Sequence, residues 1–226
     1  MKSNLFLQVI IFCFAFFCAP SVQASSLERQ EVMEWAEQRG NELLQALSYN
    51  NLEVKYQALD NLFSRYVDTD YIAKFVMGKY WPIMTADEQL QFRRMFKLYA
   101  LAIYKTYPLT LTDKVSFQII RAVITGPNTA EVYAQIHFAS LSPQDALQDI
   151  MVQFNIRNDV NGLKLVDLRI AESSLALSYR RKFYQLMLED EGEVAWFLDD
   201  FQQIIDSINR RNEAYQDGEL PYSPAP

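Results

Sequence analysis

The side chains able to do chemistry are few and scattered. His137 is the only histidine among 226 residues, so a two-histidine zinc motif cannot form, and a Ser-His-Asp site would have to use this one ring. It sits in a stretch where Glu131, Tyr133, Gln135 and His137 alternate with Val132, Ala134, Ile136 and Phe138. That spacing puts it on the wet face of a strand, as a solvated side chain. The acidic pairs Asp87-Glu88, Glu189-Asp190 and Asp199-Asp200 fall at helix ends or on polar faces. Carboxylates there cap, complement the helix dipole or solubilise, and do not form an acid–base pair. Arg93-Arg94, Arg180-Arg181 and Arg210-Arg211 are basic doublets on helical segments, read as a solvated face with phosphate or partner contact as the alternative. No two of the six glycines lie within six residues of each other. This excludes the dinucleotide fingerprint GxGxxG, the phosphate-binding P-loop and the GxSxG nucleophile elbow.

The cysteines carry no chemistry either. Residues 1–24 hold one charge, Lys2, followed by the apolar run Leu5 to Ala19 and a break at Pro20-Ser21. Val22-Gln23-Ala24 then places small residues before a cut between Ala24 and Ser25. This is the order of a cleaved secretory signal, and the run is short of the roughly 20 residues a spanning helix needs. Cys18 ends the run as a lipid-modified cysteine would, but the bulky Phe16-Phe17 before it does not suit that processing. Cys13 and Cys18 therefore leave with the signal. The exported chain then has no disulfide, thiol nucleophile or thiolate metal site, and holds together by packing in the periplasm. Without Lys2 it carries 20 basic and 28 acidic residues, a net charge of −8. That balance argues against nucleic acid and against lasting adhesion to anionic membrane. No metal and no cofactor is expected.

The elements that must position these residues read as helices, then strands, then helices. Leu27 to Leu47 predicts a first helix with Val32, Trp35, Ala36, Leu43, Leu44 and Leu47 on its buried side and Gly40 tolerated within it, at about 1 kcal/mol. A second helix carries Val54, Leu59, Leu62, Phe63 and Tyr66, and a short third runs from a cap at Asp68 or Asp70 to a stop at Gly78. Thr85 with Glu88 three residues on is a capping box. From there Leu90, Phe92, Met95, Phe96, Tyr99, Ala100, Ile103, Tyr104 and Tyr107 recur at helical steps up to Pro108. That apolar face is wider than one packing seam needs. The period then becomes two over Val115–Ile124, Glu131–Phe138, Gln148–Arg157 and Leu163–Ile170, with turns at Gly126-Pro127-Asn128 and Asn158 to Gly162. One face is apolar and the other polar, as in an antiparallel sheet covered on one side. Ser173 or Ser174 caps a helix carrying Leu175, Leu177, Tyr179, Phe183, Leu186 and Met187. The last helix buries Val194, Phe197, Leu198, Phe201, Ile204, Ile205 and Ile208. The expected fold is α+β: N-terminal helices, a four-stranded antiparallel meander covered on one face by helices, and C-terminal helices, with an apolar cavity between helices and sheet. Residues 25–213 form one domain, and 214–226 a proline-containing tail with too little apolar content to pack.

Met77-Gly78-Lys79-Tyr80-Trp81 with Thr85 and Phe92 resembles the Mla-system periplasmic phospholipid-binding proteins, the MlaC or toluene-tolerance family. A second match is Leu163-Lys164-Leu165-Val166-Asp167-Leu168, followed by Ser174-Leu175 and Ser178-Tyr179-Arg180-Arg181-Lys182-Phe183. Leu163 stands where the family has Trp, Glu172-Ser173 where it has Gly-Val, and Ser178 where it has Asn. The resemblance covers about residues 28 to 212. It implies a monomeric, non-catalytic shuttle that holds a phospholipid's acyl chains inside and its headgroup outside. Its implied partners are an inner-membrane ABC-transporter complex bearing an MCE-domain protein and an outer-membrane lipoprotein complex, and its implied role is to maintain outer-membrane lipid asymmetry. On that reading Trp81, Phe96, Tyr99, Ile103, Tyr104, Ile136, Phe138, Val152, Phe154 and Ile156 wall the acyl chains. Tyr179 and Phe183 close the cavity, and Arg180 contacts phosphate or a docking partner. The alternative is a periplasmic adaptor without a lipid ligand, whose apolar helix simply fills the core.

Overall fold

The computed structural model describes residues 27–105, 115–138 and 149–217. The segment expected to be an export signal, Tyr107-Pro108, Gln148 and the residues beyond Asp217 lie outside the described residues.

Among the described residues, four α-helices and one 3-10 turn precede the sheet. Helix α1 (Arg29–Leu47) is followed by α2 (Leu52–Tyr66), α3 (Thr69–Met77), a 3-10 turn (Gly78–Ile83) and α4 (Ala86–Lys105). Their starts follow from side chains that take up free N–H groups of the first turn. Asn51 accepts from Val54 N–H at 3.0 Å, and Asp68 from Tyr71 N–H at 2.9 Å. The capping box is present: Glu88 Oε2 accepts from Thr85 N–H at 2.7 Å, and Thr85 Oγ1 from Glu88 N–H at 3.3 Å. Gly78 ends α3 with φ +47° and ψ −111°, a positive φ but not the left-handed helical stop expected. A Cβ there would lie 2.2 Å from Tyr184 Oη and 2.5 Å from Arg180, so only glycine fits.

The strands are β1 (Val115–Gly126), β2 (Thr129–Phe138), β3 (Ile150–Asp159), β4 (Gly162–Ile170) and the two-residue β5 (Ser173–Ser174). Among the described residues they form one antiparallel sheet in the order β1-β2-β3-β4-β5. It is the expected meander with a short fifth strand at the edge. Register pairs Ala134 with Ile119 and Val152, and Tyr133 with Arg121 and Gln153. The first set faces inward. The second faces solvent, where Arg121 stacks on Tyr133 at 3.9 Å and His137 Nδ1 lies 2.8 Å from Asp149. His137 thus sits on the wet face.

Helices α5 (Leu175–Glu189) and α6 (Val194–Gln216) are the last elements among the described residues. Ser174 caps α5, accepting from Leu177 N–H at 3.0 Å. The core is divided. Phe92, Phe96 and Tyr99 of α4 interlock with Phe183 of α5 and Phe197 and Phe201 of α6, ring centroids 4.9 to 6.1 Å apart. Separately, Val32 and Ala36 of α1 pack on Ala122, Ala130, Val132, Ile156 and Leu163 of the sheet. Buried Asn212 of α6 donates to Ala102 O of α4 at 2.9 Å, tying α6 to the last turns of α4. Leu90, Leu175 and Leu177, expected inside, are exposed. Leu90 lies about 200° around α4 from Phe92, and the two α5 leucines flank the buried Ala176–Phe183–Met187 stripe.

Candidate functional site

A space opens where Phe96, Tyr99 and Ala176 of the first core, Ala36 of the second and Leu59 of a third, smaller cluster meet. This apolar cavity of about 700 Å³ falls within the roughly 300–1,000 Å³ of small-molecule sites. Helical stripes three and four residues apart build most of the wall: Trp35, Ala36, Arg39, Gly40 and Leu43 from α1, and Leu59, Leu62, Phe63 and Tyr66 from α2. Helix α4 supplies Phe96, Tyr99, Ala100 and Ile103, and α5 supplies Leu175, Ala176, Ser178, Tyr179 and Lys182. Phe117, Phe154 and the Leu165–Leu168 segment close the sheet side. Leu43 and Leu175 line the cavity while 44% and 45% exposed, so it reaches the surface beside them.

Gly40 has a packing reason. A Cβ there would lie 2.0 Å from Phe117 Cζ, so the glycine lets the Phe117 ring lie against α1 at the cavity wall. That close approach comes at a helix cost of about 1 kcal/mol, and an alanine there would push the Phe117 ring aside.

Few groups on the wall are polar. Asp167 is engaged at both oxygens, accepting from Ser174 Oγ at 2.7 Å and from Ala176 N–H at 2.9 Å, and so reinforces the start of α5. Arg39 lies over the Tyr66 ring at 4.2 Å and pairs with Glu42 at 2.8 Å. Lys182 lies 5.6 Å from the Tyr99 ring centroid. Among the described residues, no group of three or more acidic, histidine or cysteine side chains is placed to hold a metal.

Of the residues expected on the wall, Phe96, Tyr99, Ile103, Phe154 and Tyr179 meet there. Trp81 and Phe183 do not: both lie in the closed aromatic core, Trp81 under Arg93 and Phe183 between α4 and α6. Ile156 packs against α1, Val152 is buried off the wall, and Ile136 is half-buried off it. The side chains of Tyr104 and Phe138 lie outside the described residues. Arg180 is also off the wall, over Phe75 at 5.1 Å and donating to Tyr184 Oη at 3.0 Å. Tyr184 is partly desolvated, which opposes its phenolate. The hydrogen bonds from Lys79 N–H and Arg180 outweigh this and hold the phenol below its ordinary 10.0. Arg180, Tyr184, Lys79 and Gly78 thus form a clamp between the 3-10 turn and α5. Sequence reasoning missed the α1 and α2 walls. The signal on α1 was a charge and a glycine, Arg39-Gly40, inside an otherwise apolar stripe.

Comparison with known proteins bears on this fold. No curated protein matches the chain. The phospholipid-binding protein from Ralstonia solanacearum, solved in complex with a phospholipid, superposes with a TM-score of 0.63 at 16% identity, covering 80% of this chain and 98% of that one. At that identity the likeness is one of fold. The sequence model described as MlaC protein matches residues 38–206, from within α1 to within α6, and the chain belongs to the MlaC protein family.

Proposed function

We propose that this protein binds a phospholipid with its acyl chains in the cavity and carries it through the periplasm. The supporting observation is the cavity itself: an apolar space walled by five helices and the sheet, bordered by side chains of both cores. The phospholipid in the Ralstonia relative of like fold and the family match favour the same ligand class. Such a carrier exchanges its lipid with an inner-membrane MCE/ABC-transporter complex and with an outer-membrane lipoprotein complex, and so maintains outer-membrane lipid asymmetry. It catalyses no reaction. Residues 1–24 serve as its export signal, and residues 25–213 act as one lipid-binding domain.

Native mass spectrometry of the protein purified from its own periplasm is the direct test. The expected spectrum shows the mature chain plus the mass of one phospholipid, with the lipid recovered by organic extraction. A chain found only at its apo mass, with no extractable lipid, overturns the reading in favour of an adaptor.

A further inference from the structure

A second cleft opens outside the apolar cavity, where the end of α2, the first turns of α3, Arg93 of α4 and the β3–β4 hairpin meet. It measures about 750 Å³ and shares only Val67 with the cavity wall. Val67 bridges to Leu165, and Asp68 N–H donates to Leu165 O at 2.9 Å, so the α2–α3 junction lies on β4 as a partition between the two spaces. In a chain of net charge −7, four basic side chains from four elements line this cleft: Lys74, Arg93, Arg157 and Lys164. Arg157 and Lys164 are direct cross-strand partners, an arrangement of like charges that costs stability unless something answers it.

Part of that charge is answered within the protein. Arg157 Nη1 donates to Asp68 Oδ2 at 3.2 Å, and Lys164 Nζ donates to the Arg65 carbonyl in the last turn of α2. Asp68 is then spent, since its Oδ1 accepts from Tyr71 N–H. Asp159 commits one oxygen to Asn161 N–H, and Asp70 stands in the first turn of α3, where it offsets the helix dipole. Arg93 and Lys74 are left: neither makes a hydrogen bond or an ion pair among the described residues. Arg93 is the more constrained. Its guanidinium lies 5.1 Å from the centroid of the buried Trp81 ring, and its Nε is buried without an acceptor. An aromatic face attracts a cation but offers no oxygen to its N–H groups. A guanidinium partly withdrawn from water with no acceptor is costly, and the open cleft is where an acceptor for its terminal nitrogens can enter.

We propose that this cleft is a second binding site, separate from the acyl-chain cavity, for a free tetrahedral oxyanion of the phosphate or sulfate class, anchored on Arg93 and joined by Lys74. A guanidinium seated on a ring presents its remaining N–H groups as a planar fork to the oxygens of one anion. Lys74, exposed on α3, adds a mobile point charge. Arg157 and Lys164 raise the positive potential from the hairpin side while keeping their own partners. Bridging Arg93 and Lys74, the anion ties α3 to α4. Because the partition at Val67 keeps the cleft apart from the apolar cavity, the anion binds whether or not the cavity holds a lipid.

The test is calorimetric titration of the purified protein, delipidated and phospholipid-loaded, with inorganic phosphate and with sulfate in a buffer free of other oxyanions. Saturable binding is expected, equal in the two preparations and weakening as sodium chloride is raised. Should the chain load no lipid, the carrier reading falls and the delipidated protein alone reads the cleft. Arg93→Gln should weaken binding at least tenfold and Lys74→Gln several-fold, the scale of charge-assisted hydrogen bonds. Arg94→Gln, at the exposed neighbour that does not line the cleft, should leave it unchanged. If Arg93→Gln does not fold, Lys74→Gln at its exposed position carries the test. No saturable binding up to about 10 mM, or binding untouched by the substitutions that fold, overturns the assignment. An Arg94→Gln loss as large as that of Arg93→Gln overturns it by showing diffuse attraction. Binding abolished by lipid loading overturns it as well, by giving the cleft to the lipid's own headgroup.

Discussion

At the residue scale, Asp190 is the clearest acid out of place. It follows the last residue of α5, is buried, and has Oδ2 without a hydrogen-bond partner. Burial and the neighbouring Asp200 and Glu189 raise its carboxyl above the ordinary 3.8. A negative charge at a helix C-terminus also opposes the dipole. The folded state therefore holds this proton more tightly than the unfolded chain does. Stability falls as pH rises from the unfolded carboxyl value through the raised folded one, and the deficit persists at neutral pH. Asp190→Asn removes the charge, keeps the side chain's size and lets its amide donate to Asp200. Thermal melts should show the variant more stable at pH 7 by about 0.5 kcal/mol. The gain should shrink as pH falls through the raised folded value and be gone below the ordinary carboxylate value. A variant less stable than wild type at pH 7 would show that the carboxylate makes a favourable contact there.

At the element scale, α4 carries two jobs on one apolar face. Phe92, Met95 and Phe96 turn towards α5 and α6, while Ala100 and Ile103 turn towards the cavity, with Phe96 and Tyr99 shared. Ala100 is the smallest of the cavity-facing four, so enlarging it fills the space without entering the aromatic core. Ala100→Trp should cut bound lipid at least tenfold while costing no more than about 1–3 kcal/mol of stability, read as lipid per protein by mass spectrometry beside a denaturant melt. Normal lipid content in a folded Ala100→Trp protein would place the chains elsewhere. The excess width of this face was legible from periodicity alone, as were the Thr85–Glu88 box and the two-faced strands. Its division into two seams was not, because spacing along α4 does not reveal which neighbour each side chain meets. Trp81, Phe183 and Ile156 show the consequence: apolar pattern identified them as inward, and only the long-range arrangement separates core from cavity. Gly40 was opaque for the same reason, since the Phe117 ring that lies against it is far off in sequence.

At the scale of the whole molecule, the proposed carrier has to be emptied without unfolding, and the divided core bears on how. Phe92, Phe183, Phe197 and Phe201 of the aromatic cluster and Val32, Val132, Ile156 and Leu163 of the α1–sheet core stay off the cavity wall, so their contacts persist when the cavity loses its contents. The energetics then fix the route of release. Exposing about 30 methylenes to water costs roughly 24 kcal/mol, whereas a bilayer receives them at no such cost. Passage through free solution is closed, and chains must move directly into a membrane or another apolar groove in contact with the protein. Protein loaded with a fluorescent phospholipid should hold it on dilution into buffer. Mixed with acceptor vesicles, it should transfer the lipid at a rate proportional to vesicle concentration, because encounter is part of the step. A rate independent of vesicle concentration would mean that the lipid first escapes into water. The cavity would then hold it far less well than its apolar wall demands.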